Sequence, residues 1–326
     1  MKKLFSLLLI TVVSFTELAS AQAQQSKVYR VGVIVERELN PPQIKGLRDG
    51  LEEAGYIEGK NLVLDLLQEE TYDRLRASVK VYTEQKIDAI IAISSAETAI
   101  AKEVTDKIPI IFMPAGYPVQ SGFVRSLASP GTNLTGLTFF TDPEDVGKQL
   151  EVFKEAVPSL RRVILLFDGR KENPITAMSL AVVRKVAAHL AIKLTEKPVK
   201  SAAEAEQVLS SLPNKNAPGV FLICGPLFKV LKKIASIAIQ KRVPLFGCGA
   251  TQVAEEMVLL TYAPDLYYIG YRGAWYVDRI LKGAKPQDLP VETPTKFELV
   301  INLKTAKEIG IVIPPEMLIL VDRVFH

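Results

Sequence analysis

From Tyr29 onward, short runs of β-branched and aliphatic residues alternate with longer segments whose apolar residues recur every three or four positions. That alternation predicts βαβ units and parallel sheets. A first series reads as strands at Tyr29–Val35, Asn61–Leu67, Ala89–Ser94, Pro109–Met113 and Leu134–Phe139. Helices are predicted between them over Gln43–Ala54, Tyr72–Glu84 and Ser95–Thr105. In the first of these Ile44, Leu47 and Leu51 share a face, and Gly55 supplies the stop. A second series opens with a helix over Glu144–Val157, ended by Pro158. Its strands are read at Arg162–Asp168, Lys193–Val199, Gly219–Cys224, Val243–Gly247 and Val258–Tyr262, and its further helices at Ile175–Leu190, Ala202–Leu212 and Leu227–Lys241.

Two open sheets, each covered by helices, are more natural for this many strands than one very large sheet. A further helix at Tyr267–Leu281, a Pro-rich passage and a strand-like Phe297–Leu303 follow the second series, so the chain is expected to cross between lobes more than once. Gly136–Asp142, Tyr262–Asp265 and Val291–Thr295 are the candidate crossings. The expected division is one lobe of 28–138 plus about 264–292, and a second of 139–263 plus about 296–326.

Composition changes this picture at the N-terminus. Lys2 and Lys3, the apolar stretch from Leu4 to Phe15 and the small residues Ala19 to Ala23 read as an export signal, removed at about residue 23. No cysteine follows the apolar run, so lipid attachment is not expected, and no later segment has transmembrane length. The expected location is therefore the periplasm. Forty basic against 36 acidic residues leave a net charge of only +4, and the charges are scattered, which gives no support to nucleic-acid or membrane-surface binding. The two cysteines, Cys224 and Cys248, each end an apolar run. Export permits them to pair if those runs are neighbouring strands, and two inert buried thiols are the alternative.

Catalytic chemistry is sparse. Histidine occurs only as His189, inside a helix, and His326, at the terminus, which leaves little room for histidine acid–base catalysis or His-ligated metals. No nucleophile elbow, Walker loop or Cys-pair metal spacing is present, and Gly247-Cys248-Gly249 lacks the third glycine of a dinucleotide fingerprint. Glu36, Asp168 and Asp265 form the one candidate carboxylate set, as acid–base groups or as polar ligand contacts. No cofactor is expected.

In open parallel sheets ligands settle beyond the carboxyl ends of the strands, where helix N-termini present free N–H groups. Ser94, Ser95 and Ala96 follow an apolar strand and open a helix, either as a simple N-cap or as a cradle for a carboxylate or other anion. In the second case Ser95→Ala should weaken binding of an anionic ligand while leaving the fold stable. Gly116 and Tyr117 follow the next strand, the glycine permitting close backbone approach and the tyrosine offering a stacking wall. Asp168 and Gly225 occupy the corresponding edge of the second sheet.

The chain resembles a family of bacterial ABC-transporter substrate-binding proteins with the type I periplasmic-binding-protein fold, the group that includes tryptophan-binding TrpX-like proteins. The residues that carry the resemblance are the segments Gly46–Leu51 and Gly55–Asn61, Ile108–Phe112, Ser129–Leu137, Ile280–Pro286 and Pro294–Ala306. The resemblance implies two Rossmann-like lobes joined by three crossovers, with a small organic ligand, often an amino acid, in the cleft. Ser95 matches a position where the family carries a polar residue at a helix start. The family often has acidic residues where Tyr117 and Gly225 stand, and a Tyr-Gly-Pro-Asn turn where Tyr262-Ala263-Pro264-Asp265 stands. Those departures favour another ammonium partner among Glu36, Asp168 and Asp265, or a different small anion as ligand.

Three functions compete on these observations. A monomeric binding protein that closes on a small molecule and delivers it to an ABC permease accounts for most of them. A ligand-sensing envelope protein docking on a receptor shares the fold expectation. A carboxylate-dependent enzyme lacks a visibly assembled site, and the expectation is that the chain is not an enzyme.

Overall fold

The computed structural model describes residues 27–36, 41–169, 176–213, 217–223, 231–249, 253, 257–293 and 297–326. The expected export signal, Cys224 and Gly225 lie outside the described residues.

Two sheets form. The first takes β1 (Tyr29–Glu36), β2 (Leu62–Glu69), β3 (Ala89–Ala92), β4 (Ile110–Ala115) and β5 (Leu134–Thr138) in the order β2-β1-β3-β4-β5. All its pairings are parallel. Helices α1 (Pro41–Glu53), α2 (Tyr72–Glu84) and α3 (Ser95–Val104) make the crossovers. One face packs Val31, Val33, Ile91 and Ile111 on Leu47 and Leu51 of α1, and the other packs Ile34, Ile90 and Phe112 on Leu75 and Val79 of α2 and Ile100 of α3. Burial on both faces explains why β3 is a continuous apolar run with no polar alternation.

The second sheet takes β6 (Arg162–Asp168), β7 (Lys193–Val199), β8 (Gly219–Leu222), β9 (Leu245–Phe246), β10 (Leu260–Pro264), β11 (Phe297–Asn302) and β12 (Arg323–Phe325) in the order β12-β11-β10-β9-β8-β6-β7. Helices α4 (Glu144–Ala156) and α5 (Thr176–His189) cover one face, and α6 (Ala202–Ser210) and α7 (Leu231–Gln240) the other. The edge strand β7 alternates in exposure and carries Pro198, which an edge tolerates because no ladder bond is lost there. Not every pairing is parallel: β11 runs antiparallel to β10. It enters this sheet from the first one, at the end where β10 leaves, so its direction follows from the path of the chain.

Between β10 and β11 the chain returns to the first sheet as α8 (Leu266–Leu281) and a short 3-10 turn at Pro286–Asp288. Helix α8 lies directly on α1, because glycines remove the side chains from the crossing. A Cβ on Gly46 would stand 2.1 Å from the Tyr267 carbonyl oxygen, and one on Gly270 would stand 1.9 Å from that of Gln43. The rim is held by the Tyr267 hydroxyl donating to Asp49 at 2.8 Å and that of Tyr56 donating to the buried Asp278 at 3.1 Å. The chain ends on α9 (Leu303–Ile309), α10 (Pro315–Ile319) and β12.

Three chain passages therefore join the sheets: Thr138 to Glu144, Pro264 to Leu266, and Glu292 to Phe297. The first and third run side by side. Glu292 pairs with Leu137, its amide donates to the Gly136 carbonyl at 3.0 Å, and its own carbonyl accepts from the Thr138 amide at 2.9 Å. Arg272 of α8 grips the Glu292 carboxylate with two nitrogens, at 2.7 and 2.5 Å, and lies over the Trp275 ring at 4.3 Å. On the side of the second sheet, Phe140 stacks on Phe297, which packs on Tyr262.

Candidate functional site

The carboxyl ends of both sheets converge on these passages. On the first sheet, β3 ends two residues before Ser94, which caps α3 from an extended backbone. Its Oγ accepts from the Ala96 amide at 3.2 Å and its hydroxyl donates to the Glu97 carboxylate. Glu97 is only 5% exposed. Its carboxyl group sits at the first turn, where the helix dipole and the free amides favour an anion. Sequence reasoning missed Glu97 at this helix start, and the Ser94-x-x-Glu97 spacing is the signal that could have found it.

Ser95 faces inward. Its Oγ accepts from the Gly116 amide at 2.8 Å, so the turn after β3 is braced against the loop after β4. Ser94, Ser95, Ala96, Gly116 and Tyr117 form one contiguous unit at this edge. The brace changes the expectation for Ser95→Ala. Alanine leaves the buried Gly116 N–H without its acceptor, which costs about 1–3 kcal/mol, so the fold should lose stability as well. A urea midpoint for Ser95→Ala equal to that of the parent protein would show that the brace contributes nothing.

Tyr117 has left-handed backbone, at φ +47°, and its side chain is 0% exposed. Its amide donates to the Phe140 carbonyl at 2.9 Å and its ring stacks on that of Phe140, with centroids 6.1 Å apart. Its hydroxyl lies 3.4 Å from Ser179 Oγ, on α5 of the second sheet. Burial pushes the phenol up to about 12, so it stays protonated through the physiological range. The ring lies at the contact between the two lobes.

On the second sheet, Asp168 ends β6 and is 3% exposed. Helix α5 follows that strand, and its first turn adds Thr176, whose buried Oγ1 has no hydrogen-bond partner among the described residues, and the buried Ser179. Neither residue was singled out by the sequence, which marks them only by their place after a strand. Glu36 ends β1, in register with Glu69 of β2. Asp265 is exposed and caps α8, its Oδ1 accepting from the amides of Tyr267 at 2.8 Å and Tyr268 at 3.4 Å. It belongs to a chain passage and to a helix start, and the N-cap preference for Asp before an apolar helix accounts for it.

Cys248 is disulfide-bonded. The sequence holds one other cysteine, Cys224, which lies outside the described residues. Of the two alternatives that the sequence left open, the paired one holds. Among the described residues no group of three or more His, Cys, Asp or Glu side chains is placed to hold a metal, and no helix is long and apolar enough to cross a membrane.

With this geometry in hand, the similarities are specific. The sequence profile of ABC transporter substrate binding proteins matches residues 29–325. A tyrosine-binding protein of Clostridioides difficile is 24% identical over 286 residues, 87% of this chain and 81% of that one. Among solved structures, a conserved domain protein from Vibrio cholerae superposes with a TM-score of 0.82 at 27% identity, covering 91% of this chain and 100% of the other. An ABC domain from Streptococcus pneumoniae in complex with L-Trp gives 0.81 at 22% identity, over 92% and 100%.

Proposed function

Because the chain belongs to the family of ABC transporter substrate-binding proteins, which bind and do not catalyse, we propose that it captures an amino acid, with an aromatic one the first choice, between the carboxyl edges of its two sheets. The observation that carries this reading is the convergence of those edges, where Tyr117 of one lobe meets Ser179 of the other. The relatives named for tyrosine and solved with L-Trp support the ligand class. In this reading Ser95, Gly116, Tyr117 and Asp168 line the cleft, together with Glu97 and Thr176; the brace between Ser95 and Gly116 and the burial of these side chains support it. Ser94 and Ala96 shape the helix start, Glu36 and Gly225 complete the strand ends by sequence position, and Asp265 acts through the chain passage that it caps.

In this reading the two bodies, 28–138 with about 264–292 and 139–263 with about 296–326, rotate about the three passages, and ligand selects the closed arrangement by contacting both. The protein is exported, loses residues 1–23, works as a monomer in the periplasm and delivers its ligand to an ABC permease. Neither a cofactor nor a metal takes part.

Titration with L-tyrosine, L-tryptophan and L-phenylalanine, followed by thermal unfolding and small-angle scattering, tests the proposal. At a hundredfold excess over the dissociation constant, bound ligand adds about 2.7 kcal/mol of stability, and the radius of gyration should fall. A complete set of L-amino acids that moves neither quantity would defeat it.

A further inference from the structure

Resting on the reading that the converging edges form the ligand cleft, we propose that Tyr117 sets the size of ligand the cleft accepts, its ring filling the end of the cleft nearest the chain passages. Three observations carry this. Tyr117 follows β4 at the carboxyl edge, one residue after the glycine that Ser95 braces, so its Cα stands where the first sheet offers contacts to a ligand. Its side chain reaches from that edge to α5 of the second lobe and is sealed on every side, 0% exposed against Phe140 and the buried Ser179. A side chain that touches both lobes at their facing edges takes up volume that lies between them.

The third observation is the backbone. At φ +47° a glycine or asparagine is at ease, and a bulky side chain is not. A ring kept at such a position is held by what surrounds it. Phe140 provides the stack, and the Phe140 carbonyl fixes the Tyr117 amide at 2.9 Å. Substitution by glycine or asparagine therefore removes the ring and relieves the backbone together, leaving a space beside the Phe140 ring and the Ser179 hydroxyl that an extension of the ligand can enter.

The test compares L-tyrosine with O-benzyl-L-tyrosine, by calorimetric titration against the parent protein, Tyr117→Gly, Tyr117→Asn and Tyr117→Phe. Steric discrimination of this kind is worth roughly tenfold or more per group excluded. The affinity ratio of the benzyl ether to tyrosine should rise by at least about tenfold in Tyr117→Gly and in Tyr117→Asn, and stay unchanged in Tyr117→Phe, which keeps the ring. The two small replacements are independent, so a folding failure of one leaves the other to decide. Parent protein that binds L-tyrosine, with a ratio unaltered by both small replacements, overturns the size role alone. Parent protein that binds no amino acid overturns the proposed function and this inference with it.

Discussion

Gly270→Ala should destabilise the protein by about 3 kcal/mol, although alanine is the better helix former. Helix propensity by itself predicts the opposite sign, a gain of roughly 1 kcal/mol for an interior glycine replaced by alanine. Packing decides the matter. The new Cβ would stand 1.9 Å from the Gln43 carbonyl oxygen, 2.8 Å from its carbon and 3.0 Å from the Leu47 amide nitrogen. All three atoms are backbone of α1, so no rotamer change relieves the clash and the two helices must part. Overpacking a rigid contact costs typically 1–3 kcal/mol and more when backbone has to move. Parting the helices also strains the bond from Tyr267 to Asp49 and that from Tyr56 to Asp278. Urea unfolding read by circular dichroism measures the change, and a midpoint at or above that of the parent would mean that the α1–α8 crossing is loose enough to absorb a methyl group.

That crossing also shows what was legible in the sequence. The periodicity of Ile44, Leu47 and Leu51 predicted a helix at Gln43–Ala54, and α1 spans Pro41–Glu53. Tyr72–Glu84 was read to the residue. What the pattern did not carry is the use of Gly46 and Gly270, because their role arises only when two helices more than two hundred positions apart meet. Strand β9 was read as five residues and pairs over two, Leu245 and Phe246, since its extent is set by neighbours on both sides. Strand β12 and the helices α9 and α10 are too short to leave a period. At the site, chemistry attached to single residues was visible, as with Ser95 and Tyr117 standing just past strand ends. Contacts between distant residues were not: Tyr117 meets Ser179 across 62 positions, and Glu97 is marked as buried only by the fold around it.

Phe140→Ala is expected to remove about 3–4 kcal/mol of stability and, separately, to weaken binding of L-tyrosine. Phe140 is the ring on which the passages between the lobes are stacked. It meets Tyr117 at 6.1 Å, Phe297 at 5.9 Å and Phe139 edge-on at 4.5 Å, and its carbonyl accepts from the Tyr117 amide. Removing it takes away a buried aromatic side chain and two stacked contacts, each worth about 0.5–1.5 kcal/mol beyond the area buried. The second effect follows from position. A binding-competent arrangement populated tenfold less lowers apparent affinity about tenfold, and the stack is what fixes Phe297 and Tyr117 relative to one another at the joint. Phe153→Ala isolates that effect, because Phe153 is also buried but lies in the core of the second sheet, against Phe221 and Phe246 at 6.5 and 5.6 Å. It should lose comparable stability and keep its affinity at temperatures where both variants are folded. Equal stability losses with L-tyrosine affinity intact in both variants would reduce the Phe140 stack to ordinary core packing and place the control of closure elsewhere.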